Sequence, residues 1–393
     1  MPVTTPGLAY EPFGRHTWRD PFTIYRRLRD EDPVHRSPRG YWVLTRFRDV
    51  LEAARDTATF SSTQGLTFSN EREELGLAPT IVMMDPPDHS RYRRLVSRAF
   101  TPRHVAELEG DLRRLAAQRV ARLREAGRAD FVAEVARPVP SWVVARYLGV
   151  PEGDRGRFDD WTAALVQGGD GQASGEAALA ELYGYFTELV ERRRREPRDD
   201  LVSTLIRADD EGAGIGIEGV LGYAFVLVAG GNDTTTGLLA GSAELLTARL
   251  DQRHRLIEQP SLMTGAVEEL LRLTSPVQGL CRVVTSDVVV EGTTLTQGDR
   301  VLLCYGAANR DPREFGADAE ELDVTRHVDR LLSFSTGAHF CLGAAAARLQ
   351  GRVVLDELLR QCPAFTVDAE AGVFADGAFT RRYESLPFAA DGT

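Results

Sequence analysis

Lysine is absent from this chain, and all 47 basic residues among its 393 are arginine. Acidic residues number 58, leaving a formal net charge of −11, which excludes a nucleic-acid binder held by a general basic surface. The all-arginine usage fits codon bias in a GC-rich genome better than a device for phosphate recognition. Cysteine is scarce too: Cys281, Cys304, Cys341 and Cys362 are widely spaced and form no CxxC pair. That excludes a disulfide framework and a CxxC-type zinc site, and it points to reduced thiols inside a cell. No apolar run reaches the roughly 18 residues of a membrane span. The opening MPVTTPGLAYEPFGRH lacks the charged-then-apolar pattern of a secretory leader. Repeats and low-complexity tracts are missing as well. The expectation is a cytoplasmic protein with no membrane and no nucleic-acid partner.

Hydrophobic content of 43% and charged content of 27% are ordinary for a globular chain. DPFTIYRRLRDEDPV (20–34) reads as a short amphipathic helix carrying Phe22, Ile24, Tyr25 and Leu28. YWVLT (41–45) is strand-like, and FRDVLEAARD returns to helical spacing. Helical patterning dominates residues 66–275. After Pro276, RVVTSDVVVEGTTLTQGDRVLLCY is rich in β-branched residues broken by EG and QGD, so hairpins are expected. The tail FTVDAEAGVFADGAFTRRYESLPFA has the same texture. The fold class is therefore mainly α with small β-sheets, as one domain over residues 1–393, with β-rich parts at about 35–65 and 276–335. GGDGQASGE (168–176) reads as a loop between helices or a lid, and ERRRREPRDD (191–200) as a solvated helix end.

Four constellations carry chemistry. FSTGAHFCLG (334–343) sets Cys341 between glycines with His339 two residues before it, at the start of a small-residue helix. A lone cysteine is commonly a buried apolar filler. At a helix start it is also a stabilised thiolate, suited to a metal already held by a macrocycle, since zinc needs further protein ligands that the spacing does not offer. Gly337 and Gly343 would let the backbone turn close to something flat. VLVAGGNDTTTGLLAGSAELL (226–246) looks like a buried helix interrupted by Gly230, Gly231 and three threonines, which lower helix propensity. Asp233 beside Thr234 is either a proton relay or part of a close helix crossing with a hydroxyl bonded back to the preceding turn. In EELLRL, Glu269 and Arg272 pair at i, i+3. In DPPDHSRYR, His89 and Arg93 share a helix face at i, i+4, able to clamp a carboxylate or simply to face solvent.

In this order and spacing, the motifs resemble those of the cytochrome P450 family, specifically its soluble bacterial members. FSTGAHFCLG matches the FxxGxHxCxG haem loop, GGNDTT the [AG]Gx[DE]T[TS] oxygen-activation motif, ELLR the ExxR motif and DPPDHSRYR the DPPxHxxxR segment. GAANRDPREFGADAEELDVTR also looks like the stretch that precedes the haem loop, and the likeness runs over nearly the whole chain. The resemblance implies haem b ligated by the Cys341 thiolate, with O2 as co-substrate. It implies Phe334 beside the sulfur, Gly343 in the haem loop, and His89, Arg93, Arg282 and His339 on the haem propionates. Asp233 and Thr234 would serve proton delivery. Glu269, Arg272 and Arg326 would form a structural triad. Val226, Ala229, Gly230, Val277 and Leu280 would contact a largely apolar substrate, with the 61–82 loop, the glycine link and the AFTRR turn as lids.

The implied activity is insertion of one oxygen atom into a small organic molecule. No flavin or iron–sulfur domain fits beside this fold, so a ferredoxin and its reductase are the expected electron donors. Arg94, Arg348 and Arg352 are candidates for docking them, or ordinary surface arginines. A peroxide-driven peroxygenase and a non-catalytic haem sensor are the alternative classes, and the acid–alcohol pair disfavours both. One departure stands out: the family commonly has glycine after the leading phenylalanine of the haem loop, and here it is Ser335.

Overall fold

The computed structural model describes residues 10, 16–68, 80–158, 161, 173–377 and 379–391. The expected lids fall partly beyond them: residues 69–79, residues 168–172 of the glycine link, and Ala378 in AFTRR lie outside the described residues. The chain is organised as two compact units.

The first unit comprises residues 1–90, 249–341 and 377–381. Its first helix, Phe22–Glu31, starts where Asp20 accepts hydrogen bonds from the Phe22 and Thr23 amides. Tyr25 and Leu28 are buried as the pattern predicts, and so is Arg29, which donates to the Ala307 carbonyl at 2.9 Å and to Glu320 at 2.7 Å. A five-stranded sheet runs in the order Val34–Arg36, Trp42–Leu44, Arg300–Leu303, Leu280–Val284, Phe60–Ser61. Only Trp42–Leu44 and Arg300–Leu303 are parallel neighbours. The EG dipeptide makes the tight hairpin between Val288–Val290 and Thr293–Leu295, with Glu291 and Gly292 both at positive φ. Trp42, Leu44, Phe47, Val50, Val301, Leu303 and Leu332 build one core. The helix Phe47–Arg55 lies over that core, and the helix Met263–Thr274 ends at Ser275 in the left-handed region, φ +37.

The second unit comprises residues 91–248, 342–376 and 382–393. Its helices Glu109–Ala126 and Ala344–Gln361 pack together, and Pro138–Leu148 packs on the long helix Gly216–Ala248. Three expectations are corrected here. The helical run over 66–275 contains a strand, Arg128–Asp130, which pairs with Pro387–Ala389. Its own three residues carry no alternating pattern, so the pairing comes from the tail. The ERRRREPRDD segment is not wholly solvated: Arg193 is buried, paired with Asp200 and donating to the Gly149 carbonyl at 2.6 Å. A buried guanidinium needs that full set of acceptors. Finally, the second half of the glycine link, from Ala173, already belongs to the helix Ala173–Arg195. Among the described residues no helix is long and apolar enough to cross a membrane.

Candidate active site

The cysteine loop is a 3₁₀ turn, Gly337–His339, followed by Phe340 and Cys341, both exposed. The Cys341 amide donates to the Phe334 carbonyl at 2.9 Å, which closes the loop on itself. Phe334 is buried and meets Phe340 edge-on. The two glycines differ from each other in conformation. Gly337 sits at φ +65, and a Cβ there would lie 3.3 Å from the Arg55 Cα, so its lack of a side chain serves close packing on the helix Phe47–Arg55. Gly343 has φ −80 and is the N-cap of Ala344–Gln361. Ser335 is the loop's left-handed corner at φ +55.

The same unit holds the buried His89 and Arg282 and the half-buried His339. The rings of His89 and His339 lie 4.3 Å apart, the His339 Nε2 is 3.3 Å from the Ser62 Oγ, and Asp85 is 4.0 Å away. Arg282 is 2% exposed, yet its only polar contact among the described residues is from Nη1 to the Cys281 carbonyl at 2.7 Å. A buried guanidinium without a carboxylate partner is costly unless an anion completes it. That deficit, in the same unit as an exposed thiol and two imidazoles, fits a cofactor presenting carboxylates and accepting a sulfur ligand. The donor set therefore suits haem. Arg93 is half-buried and lies one turn along the helix Asp88–Val96 from His89.

Glu269 and Arg272 are both fully buried and doubly hydrogen-bonded, at 2.7 and 2.8 Å. Arg326 reaches the same Glu269 carboxylate at 3.2 Å. Arg272 also donates to the Asn309 and Ala319 carbonyls, and Arg326 to that of Phe315, so the three charges pin the segment that precedes the cysteine loop. Asn309 passes the constraint on: its Oδ1 accepts from the Leu332 amide at 2.7 Å and its Nδ2 donates to the Ser333 Oγ at 2.9 Å.

In the second unit, the long helix runs unbroken through its glycines and threonines. A Cβ at Gly231 would come within 2.7 Å of the Val144 side chain, so this glycine permits the crossing with Pro138–Leu148. The Thr236 hydroxyl donates across that crossing to the Ala136 carbonyl at 2.9 Å. Thr234 donates back to the Gly230 carbonyl at 2.8 Å, which leaves its lone pairs for an incoming O–H donor. Asp233 accepts from the Arg382 Nε at 2.9 Å. Burial raises its carboxyl above the ordinary value, while Arg382, with Arg137 behind it, pulls the other way.

Of the expected substrate positions, Val226 is half-buried and Ala229 and Gly230 are exposed on the long helix. Val277 and Leu280, in the first unit, are half-buried against its core. Among the docking arginines, Arg352 is held by Glu109 at 2.6 Å, and Arg94 is exposed. Sequence reasoning missed Arg382, Tyr305 and Ser62. Each meets its partner across a long stretch of chain, and nothing local marks it.

A family model described as Cytochrome P450 matches residues 242–371. Cytochrome P450 130 of Mycobacterium tuberculosis is 50% identical over 391 residues, covering 95% of each chain. Vitamin D(3) 25-hydroxylase of Pseudonocardia autotrophica is 37% identical over 398 residues, covering 98% of each. Among solved structures, the cytochrome P450 PksS of the Bacillus subtilis bacillaene polyketide synthase matches with a TM-score of 0.89 at 32% identity, over 97% of this chain and 100% of that one.

Proposed function

The chain belongs to the cytochrome P450 family of haem monooxygenases, and from that premise we propose that it hydroxylates or epoxidises a largely apolar organic substrate with electrons from a ferredoxin and its reductase. One atom of O2 enters a C–H or C=C bond, and two electrons and two protons reduce the other to water. A haem bound through a cysteine thiolate supplies the dioxygen-activating chemistry, because the thiolate pushes electron density that favours O–O cleavage.

The chain's own residues divide the remaining work. Cys341 would hold the haem iron through its thiolate, on a loop closed by the hydrogen bond from its amide to the Phe334 carbonyl. His89, His339, Arg93 and Arg282 take the two propionates through charge-assisted hydrogen bonds. Asp233 carries protons inward, for which a carboxyl raised by burial and held by Arg382 is suited. Thr234 accepts a hydrogen bond at the dioxygen side, and Glu269, Arg272 and Arg326 are structural. Val226, Ala229, Gly230, Val277 and Leu280 face the substrate. Apolar side chains among them and the vitamin D(3) relative support an apolar carbon skeleton as substrate. Docking of the ferredoxin falls to Arg94, Arg348 and Arg352, the last of which is paired with Glu109.

The observation that carries this reading is Arg282, buried and without a carboxylate partner among the described residues, in the unit that exposes Cys341. The test is the absorption spectrum of the dithionite-reduced protein with and without carbon monoxide. A strongly red-shifted Soret band is expected, and it should be lost in Cys341→Ala. A band at the ordinary imidazole-type position would overturn the assignment of Cys341.

A further inference from the structure

Ser335 holds a backbone conformation that L-residues disfavour, φ +55, at a corner where a glycine would be at ease. Something in the fold must keep it there. Its amide donates to the Leu332 carbonyl at 2.9 Å, closing a turn. The fully buried Tyr305 donates its hydroxyl to the Ser335 Oγ at 3.3 Å, longer than the roughly 2.5–3.0 Å usual for such a pair. Tyr305 begins the short helix Tyr305–Ala308, and Asn309, just past its end, holds Leu332 and Ser333. Residues 332–335 thus hang from one short segment at both ends.

The consequence reaches Cys341 through one peptide plane. The Phe334 carbonyl, which accepts the Cys341 N–H, belongs to the peptide unit that precedes the Ser335 Cα. Relaxing Ser335 to negative φ rotates that plane and carries the carbonyl away from the cysteine amide. We propose that Tyr305 is a positioning residue for Cys341, acting through the left-handed Ser335, and that its hydroxyl is needed because the corner residue is serine. The inference rests on Cys341 being the haem ligand.

A loosened corner lets the sulfur leave the iron more readily. The readout is the rate at which the reduced carbon monoxide complex of the holoprotein loses its red-shifted Soret band in favour of the ordinary one at fixed pH. Losing one hydrogen bond predicts a rate about fivefold faster in Tyr305→Phe. Ser335→Ala, which keeps the backbone demand and lacks the hydroxyl, should behave alike. Ser335→Gly should match or outlast the wild type, because glycine adopts this φ without strain. The double variant Tyr305→Phe/Ser335→Gly should be indistinguishable from Ser335→Gly.

A wild-type rate in both Tyr305→Phe and Ser335→Ala would overturn the proposal. An equal acceleration by Tyr305→Phe in the glycine background would do so too, since Tyr305 would then act independently of the corner. Both results leave the red-shifted band in place and Cys341 as ligand. Absence of that band from the wild type would instead overturn the ligand assignment and this inference with it.

Discussion

The Arg382 guanidinium lies 2.9 Å from the Asp233 carboxylate, joining the C-terminal hairpin to the helix residue assigned to proton delivery. Burial favours the protonated acid and the arginine favours the carboxylate. Removing the arginine therefore moves the Asp233 titration to higher pH. In Arg382→Gln, the thermal midpoint should fall most at neutral and higher pH, where an unpaired carboxylate is buried. The expected loss is roughly 2 kcal/mol, below the range for fully buried pairs because Asp233 is 24% exposed. The gap should close in acid, where Asp233 is neutral, and a gap independent of pH would argue against the pairing.

Thr234→Ala removes a hydroxyl that, among the described residues, bonds only back to Gly230, so the helix and haem binding should survive. Oxygen use should become uncoupled. With any compound that shifts the haem spin state, hydrogen peroxide formed per NADH should rise, and product per NADH should fall by about tenfold or more. Coupling at the wild-type level would remove Thr234 from the relay.

Glu269→Ala leaves Arg272 buried, with its charge unbalanced except through the carbonyls it touches. A loss of about 3–5 kcal/mol is expected, with little haem retained per chain. Calorimetry and haem content measured together separate this from a catalytic role, because a catalytic residue would leave both near normal.

Asp49 supplies a prediction of opposite sign. It is buried, its Oδ2 lacks a hydrogen-bond partner among the described residues, and burial with the neighbouring Glu291 pushes its carboxyl up to about 6, against Arg46 and Arg48 and with Glu52. A carboxyl raised in the folded state is favourable in acid and becomes a liability as pH climbs through the folded value. Asp49→Asn should therefore stabilise the protein above about pH 6, by roughly 2 kcal/mol, and change little below about pH 4. Thermal midpoints across that range decide it, and destabilisation at pH 8 would contradict it.

The motifs were legible because each one is local. A cysteine two residues past a histidine, an acid beside an alcohol, and Glu and Arg at i, i+3 all sit within a turn or two of backbone, where spacing fixes which groups share a face. Short strands were less legible. Arg128–Asp130 has three residues and no alternation, and only pairing with Pro387–Ala389 makes it a strand. The serine at position 335 could be recognised as a departure, but its φ and its contact with Tyr305 could not.

By itself the sequence determined the family and its class of chemistry: a mainly helical cytochrome P450 monooxygenase, with the proposed ligand, acid and alcohol each at a readable position. Tertiary structure alone decided which charges those groups meet. Arg382 finds Asp233, Arg193 finds Asp200, and Arg282 is buried with no carboxylate among the described residues. A one-dimensional pattern encodes periodicity and hence faces. The energy of a buried charge depends instead on partners delivered by distant segments, and those exist only once the chain has packed.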